Sequence, residues 1–240
     1  AFESGGVLMV TTNANSGLGS LRAAITNAAA IPGADIINFD PALSGQTIAL
    51  ASEIAMNMTN VGDVTIDAST LPAGITLNGG GTHRILFVTT TGATFGSVAL
   101  KGLNLTDGFT TGAYPTGYGG AIFNRVTMTL TQCTLSGNSA TRGGAIYSEN
   151  AWLTLTNSIV AGNTAPTGPD ISHLYGNITP IGVNLIGNLS DSGLTAGGNV
   201  INAAPLLAPL GAYGGPTKTF ALLAGSPALN AAVGSTVTTD

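Results

Sequence analysis

The feature that most constrains this chain is a motif that returns every 24 or 25 residues. Gly119-Gly120-Ala121-Ile122-Phe123 comes back as Gly143-Gly144-Ala145-Ile146-Tyr147, an offset of 24. Leu130–Ala140 comes back as Leu155–Ala165, an offset of 25, and the Gly-Asn pair of both segments recurs at Gly187-Asn188. Val98-Ala99-Leu100 and Leu105-Thr106-Asp107-Gly108 read as the same unit with a longer insertion. A period of this length marks a stack of supersecondary units, each covered by the next.

Inside each unit the apolar period is two. Val126, Met128 and Leu130 alternate with Thr127, Thr129 and Thr131, and Leu153 and Leu155 alternate with Thr154 and Thr156. A strand with one apolar face is not stable alone, and a further turn stacked about 4.8 Å away pairs its backbone and covers its side chains. Short strands, Gly-rich corners and no helical period predict an all-β chain wound as a parallel β-helix, or β-solenoid. Asn138, Asn163 and Asn188 stand at equal offsets and predict a corner ladder of stacked amides.

The start reads differently. Ser20 is a candidate N-cap, and Leu21, Ala24, Ile25 and Ala28 share one helical face before Pro32-Gly33 stops the run. The expectation is one domain over 1–240: a cap over about 1–40 with a short N-terminal capping helix at 20–30, coils over about 41–202, and a C-terminal coil and tail over about 203–240.

Composition narrows the function. Charged residues are 7% of the chain, against about 25% in ordinary domains. Six Lys+Arg within a net charge of -5 cannot build a nucleic-acid face. No run approaches the length of a transmembrane helix. Cys133 is the one cysteine, which excludes an internal disulfide framework and a cysteine metal cluster, and it reads as a small buried filler. His83 and His173 lie too far apart for a metal-ligand pattern, so no metal and no cofactor is expected.

Several motifs stand in a fixed order along the chain. They are Asn15-Ser16-Gly17-Leu18-Gly19-Ser20-Leu21-Arg22-Ala23-Ala24-Ile25, the Gly-Gly-Ala-Ile and Gly-Asn-Ser/Thr-Ala repeats, Val183-Asn184-Leu185-Ile186-Gly187, and then Gly214-Gly215-Pro216-Thr217 and Gly225-Ser226-Pro227-Ala228. In that order the chain resembles the right-handed parallel β-helix proteins of bacterial surfaces known as choice-of-anchor Q proteins, which are similar to polymorphic outer-membrane proteins. The chain departs from the pattern at Ala204, where Asp is usual, and at Tyr213, where Asn is usual. The resemblance implies export, surface exposure, no defined reaction, and a continuation past Asp240 into an anchor.

Enzymes on this fold work mainly on polysaccharides, with carboxylates in one cleft or a basic residue beside them. Here Asp63, Asp67, Asp107, Glu149, Asp170 and Asp191 are scattered, and Arg84, Lys101, Arg125 and Arg142 are the candidate bases. Arg125, Arg142 and Glu149 form a candidate sugar-binding cluster. Tyr114 and Tyr118, in the longest insertion (Phe109–Tyr118), are the candidate stacking aromatics for a glycan. The outward Thr pairs Thr129/Thr131 and Thr154/Thr156 raise ice binding as a minor alternative.

The reading is a non-enzymatic, exported cell-surface or extracellular structural or adhesion protein. Its expected partners are a second copy added head-to-tail or surface glycans. The alternatives are a polysaccharide-active lyase or hydrolase and a glycan-binding module.

Overall fold

A computed structural model gives the fold and describes residues 5–30, 33–58, 62–90, 96–209, 211–212 and 218–229. Strand β1 (Val7–Val10) leads into helix α1 (Leu21–Ala28). Ser20 caps the helix: its hydroxyl accepts from Ala23 N at 3.2 Å, satisfying one of the free N–H groups of the first turn. Leu21, Ala24, Ile25 and Ala28 are buried, as their spacing predicts, and α1 rests on β1 and the next strand. The helix ends at Ala28. Pro32, Tyr213, the motif at 214–217 and the end of the expected tail at 230–240 lie outside the described residues.

The chain then winds through about six turns of a parallel β-solenoid. Turn one is β2 (Asp35–Phe39), β3 (Thr47–Ala49) and β4 (Ile54–Asn57). Turn two is β5 (Val64–Asp67), β6 (Ile75–Asn78) and β7 (Leu86–Thr89). Turn three is β8 (Val98–Lys101), β9 (Leu103–Thr106) and β10 (Ile122–Asn124). Turn four is β11 (Met128–Thr131), β12 (Thr134–Ser136) and the first half of β13 (Ile146–Thr156). Turn five is the rest of β13, β14 (Ile159–Val160) and the first half of β15 (Ile171–Ile181). Turn six is the rest of β15 and β16 (Asn184–Ile186), and β17 (Val200–Asn202) stacks on β16 after it. The first turn begins at Asp35, inside the stretch that the sequence reads as cap.

The first five turns each contribute to three faces, and the last to faces A and B. Face A is β1-β2-β5-β8-β11 and the second halves of β13 and β15. Face B is β3-β6-β9-β12-β14-β16-β17. Face C is β4-β7-β10 and the first halves of β13 and β15. Faces A and C are one continuous sheet only because β13 and β15 run unbroken around their shared corner, bending at Asn150 and Tyr175, both at positive φ.

Each face sends aliphatic columns into the interior. On face A, Ile37, Ile66, Leu100, Leu130 and Leu155 stack in register. On face B the column is Ile48, Leu77, Leu105, Leu135, Val160 and Ile186. On face C it is Ile54, Leu86, Ile122, Ile146 and Ile171. All of these side chains are buried, each worth about 1.5–3 kcal/mol of transfer free energy before entropy is subtracted.

The repeated Gly-Gly pair has two separate reasons. The first glycine sits at positive φ, +69° at Gly119 and +63° at Gly143. The second has no room for a side chain: a Cβ on Gly120 would lie 2.3 Å from Gly144 O, and one on Gly144 would lie 2.1 Å from Pro169 O.

At the far end a proline interrupts the outer edge of the ladder. Ile181 O accepts from Asn157 N, which turns the peptide groups of Ile181 toward β13 and those of Pro180 to the outer edge. Pro180 has no N–H to offer there, and its carbonyl accepts from Asn199 Nδ2 at 3.0 Å. Beyond β17 the pairing turns antiparallel: Leu207 bridges Leu222, and β18 (Gly211–Ala212) pairs with β19 (Lys218–Thr219).

Candidate functional site

Two outer surfaces carry groups able to meet a ligand. The first is face C, where the insertion lies over an outward aromatic column. Phe87, Phe123 and Tyr147 stack in register, with ring centroids 4.9 and 5.5 Å apart. Tyr118 meets Tyr147 edge-on at 4.9 Å, and Tyr114 meets Tyr118 at 5.5 Å. Phe123 and Tyr147 are buried beneath the insertion, and burial pushes the Tyr147 hydroxyl up to about 12.

Arg84 fastens the insertion. Its Nε donates to Gly119 O at 3.1 Å, and its Nη2 donates to Pro115 O and Thr116 O at 3.0 and 2.9 Å. Nη1 lies 3.4 Å from the Glu53 carboxylate, and the guanidinium stacks 4.8 Å over Phe87. A planar cation with several donors suits three carbonyls and a ring at once.

The residues singled out from sequence come together on this face but engage one another. Tyr114 donates to Glu149 Oε2 at 2.7 Å, and this bond, with burial, raises the tyrosine above its ordinary value. Arg125 lies 3.5 Å from the same carboxylate oxygen, because the 24-residue offset sets it one turn from Glu149. Arg142 bridges in register with Tyr118, donates to Ser172 Oγ at 2.8 Å, and pairs with Asp191 at 2.9 Å. Ser172 also donates to Asp191. Burial would depress the guanidinium of Arg142, but the hydrogen bond and charge of Asp191 outweigh it and raise its value. Asp191 is one of the scattered acids of the sequence, and its pairing with Arg142, 49 residues away, leaves no local signal there.

The amide row departs from the equal spacing of the sequence. Asn138 Nδ2 donates to Asn163 Oδ1 at 2.9 Å, and Asn163 Nδ2 donates in turn to Asp170 Oδ1 at 2.9 Å. Asn188 does not continue the row through its side chain, which accepts from Ser190 instead. Only its backbone N–H reaches Asp170, at 2.7 Å. The cause is one added residue, Val183. Thr156 pairs with Ile181, but Ile159 pairs with Leu185, so the offset grows to 26. A second buried row forms beside it, where Cys133 N donates to Ser158 Oγ and Ser158 N donates to Asn184 Oδ1.

The second surface is face A in its last three turns. Nine outward positions form a three-by-three array: Thr127, Thr129 and Thr131, then Trp152, Thr154 and Thr156, then Asn177, Thr179 and Ile181. None is charged. Trp152 is 68% exposed, and Tyr175 at the adjoining corner is 71% exposed. Among the described residues none forms a hydrogen bond with the hydroxyls of Thr127, Thr129, Thr131, Thr154 or Thr156. Trp152, Tyr175 and the third threonine turn are not among the candidates read from sequence. The alternation Trp152-Leu153-Thr154-Leu155 and the offset from Thr154 to Thr179 carry the signal that could have found them.

Among the described residues, no three His, Cys, Asp or Glu side chains converge as metal ligands, and no helix is long and apolar enough to cross a membrane. No family model matches the chain, and no curated protein matches it.

Proposed function

We propose that this chain is a non-enzymatic, exported protein of the cell surface or extracellular space that acts in adhesion through a lateral face. The carrying observation is the uncharged array on face A, held flat by three stacked turns, with Trp152 standing out of it. Adhesive contact needs a rigid platform with groups not already satisfied by the protein, and free hydroxyls beside an exposed aromatic meet that need. The motif order that resembles choice-of-anchor Q proteins supports export.

End-to-end addition of copies has less support, because Pro180 removes one backbone donor from the outer edge of face A and Asn199 holds its carbonyl. A polysaccharide lyase or hydrolase is supported only by the cluster on face C, where Glu149 and Asp191 are each held by an arginine.

The test has two parts. Beads coated with the full chain are expected to stay on cell or polysaccharide surfaces, and fractionation of the source cells is expected to find the protein outside. Recovery from the cell interior would overturn the reading. So would product release from acidic polysaccharides, with or without calcium.

A further inference from the structure

We infer that the array on face A is a binding surface for neutral polysaccharide, with Trp152 as its stacking residue. The inference rests on the adhesion reading and names the ligand class that this face fits.

Sugar rings present two chemistries. Their C–H faces pack on aromatic rings, and their hydroxyls both donate and accept hydrogen bonds. Face A supplies both. Trp152 offers its ring from a strand whose backbone is paired on both sides, by β11 and by β15, so it is a rigid anchor. Thr127, Thr129, Thr131, Thr154 and Thr156 offer hydroxyls with no partner among the described residues, and Asn177 stands in register with Trp152. Hydroxyls and an amide can each donate and accept, which matches the hydroxyls of a glycan.

The charge pattern selects a neutral ligand over an acidic one. The nearest charged outward residues along the face are Lys101 and Asp67, which neutralise each other at 3.1 Å. The free-standing arginines of a polyuronate site are absent from the array. Outward positions repeat at about 6.6 Å along a strand and about 4.8 Å between turns, so the array spans roughly 13 by 10 Å. That is the footprint of a short run of sugar rings lying flat. Tyr175 continues the surface past Asn177 and gives a longer chain a second ring at the corner.

Face C is the contrasting surface. There the candidate sugar-binding side chains already bond to one another: Tyr114 to Glu149, Arg125 to Glu149, and Arg142 to Asp191.

The experiment is affinity electrophoresis of the full chain in gels containing mixed-linkage β-glucan, xylan or polygalacturonate. Wild-type protein is expected to be retarded by a neutral polymer, with little dependence on salt. Trp152→Ala is expected to weaken retardation about tenfold, as loss of one stacked ring would, and Thr154→Lys, which replaces a hydroxyl at the centre of the array with a long charged side chain, is expected to weaken it too. Tyr114→Phe should run as wild type. Both face A positions are exposed or half-buried, and unchanged thermal unfolding of the variants confirms that they fold. Retardation by polygalacturonate alone, lost in salt or in Arg142→Ala, overturns the inference. So does the absence of retardation in every neutral gel, or equal retardation of wild type and Trp152→Ala. Ice-crystal shaping that survives Trp152→Ala would assign the face to ordered water and also overturn it. If beads carrying wild type and Trp152→Ala adhere equally, the glycan inference falls and the adhesion reading stands. If neither adheres while gel retardation depends on Trp152, the adhesion reading falls alone.

Discussion

Asn163 and Asp170 share a hydrogen bond of 2.9 Å that ends a buried polar row begun at Asn138. Asp170 also accepts from the backbone N–H groups of Asn163 and Asn188, so one carboxylate satisfies donors on two turns. Replacing Asp170 with Ala strands those donors inside the protein. The expected loss is about 3 kcal/mol of unfolding free energy, read by urea titration.

The same carboxyl makes a pH prediction. Burial raises its pKa, and the hydrogen bonds from Asn163, Asn188 and Gly187 only partly offset that. A carboxyl raised in the folded state binds its proton more tightly there than in the unfolded chain. Its stabilising contribution is therefore complete below the unfolded value of about 3.9 and is lost as pH climbs through the folded value. The difference in stability between wild type and Asp170→Asn should shrink over that rise. A flat difference from about pH 3 to pH 7 would show that Asp170 is not raised.

Cys133 is predicted to be inert while the protein is folded. Burial pushes its thiol up to about 12, and the Sγ lies 3.4 Å from Thr131 O and 3.5 Å from Leu100 O. A thiol reagent at neutral pH should label it only as fast as the chain unfolds, and labelling in denaturant should be immediate.

Arg84→Ala should free the 109–118 insertion without dissolving the solenoid. The change removes three carbonyl bonds and the ring contacts beneath the insertion, and leaves Glu53 without its cation. Amide exchange in 109–118 should rise well above that of β11 and β13, with a global cost of about 3 kcal/mol. Arg84→Lys should recover little, since a single ammonium cannot span the same carbonyls.

Gly144→Ala tests the corner. Its Cβ would lie 2.1 Å from Pro169 O, and both partners are backbone held by neighbouring turns. The expected outcome is a loss of about 3 kcal/mol or failure to fold, measured by circular dichroism through a thermal ramp.

The fold was legible because one physical signal repeats. Leu130 and Leu155 occupy equal places in two units, and stacking is the only arrangement that buries both and pairs their backbones. The capping helix was legible for a local reason, Ser20 ahead of a face of Leu21, Ala24, Ile25 and Ala28. Register past Gly182 was not, because the insertion of Val183 leaves no mark in composition, and Asn188 was displaced by it. The ligand surface was harder still. Tyr114 and Tyr118 sit in a long polar insertion, which favours exposure on average. Whether a ring there is free depends on what lies below, and the outward rings of Phe87, Phe123 and Tyr147 come from three different turns. Trp152 is free for the opposite reason: its neighbours on the face are Thr and Asn, too short to cover it.

Pro180 has a consequence for crowding. A long parallel ladder with a raw edge templates its own aggregation, because any passing strand can zip onto it. One missing hydrogen on the last rung, with Asn199 occupying the carbonyl beside it, breaks that template at one point of the outer edge of face A. A second copy approaching that end meets an interrupted rung there and not a continuous ladder.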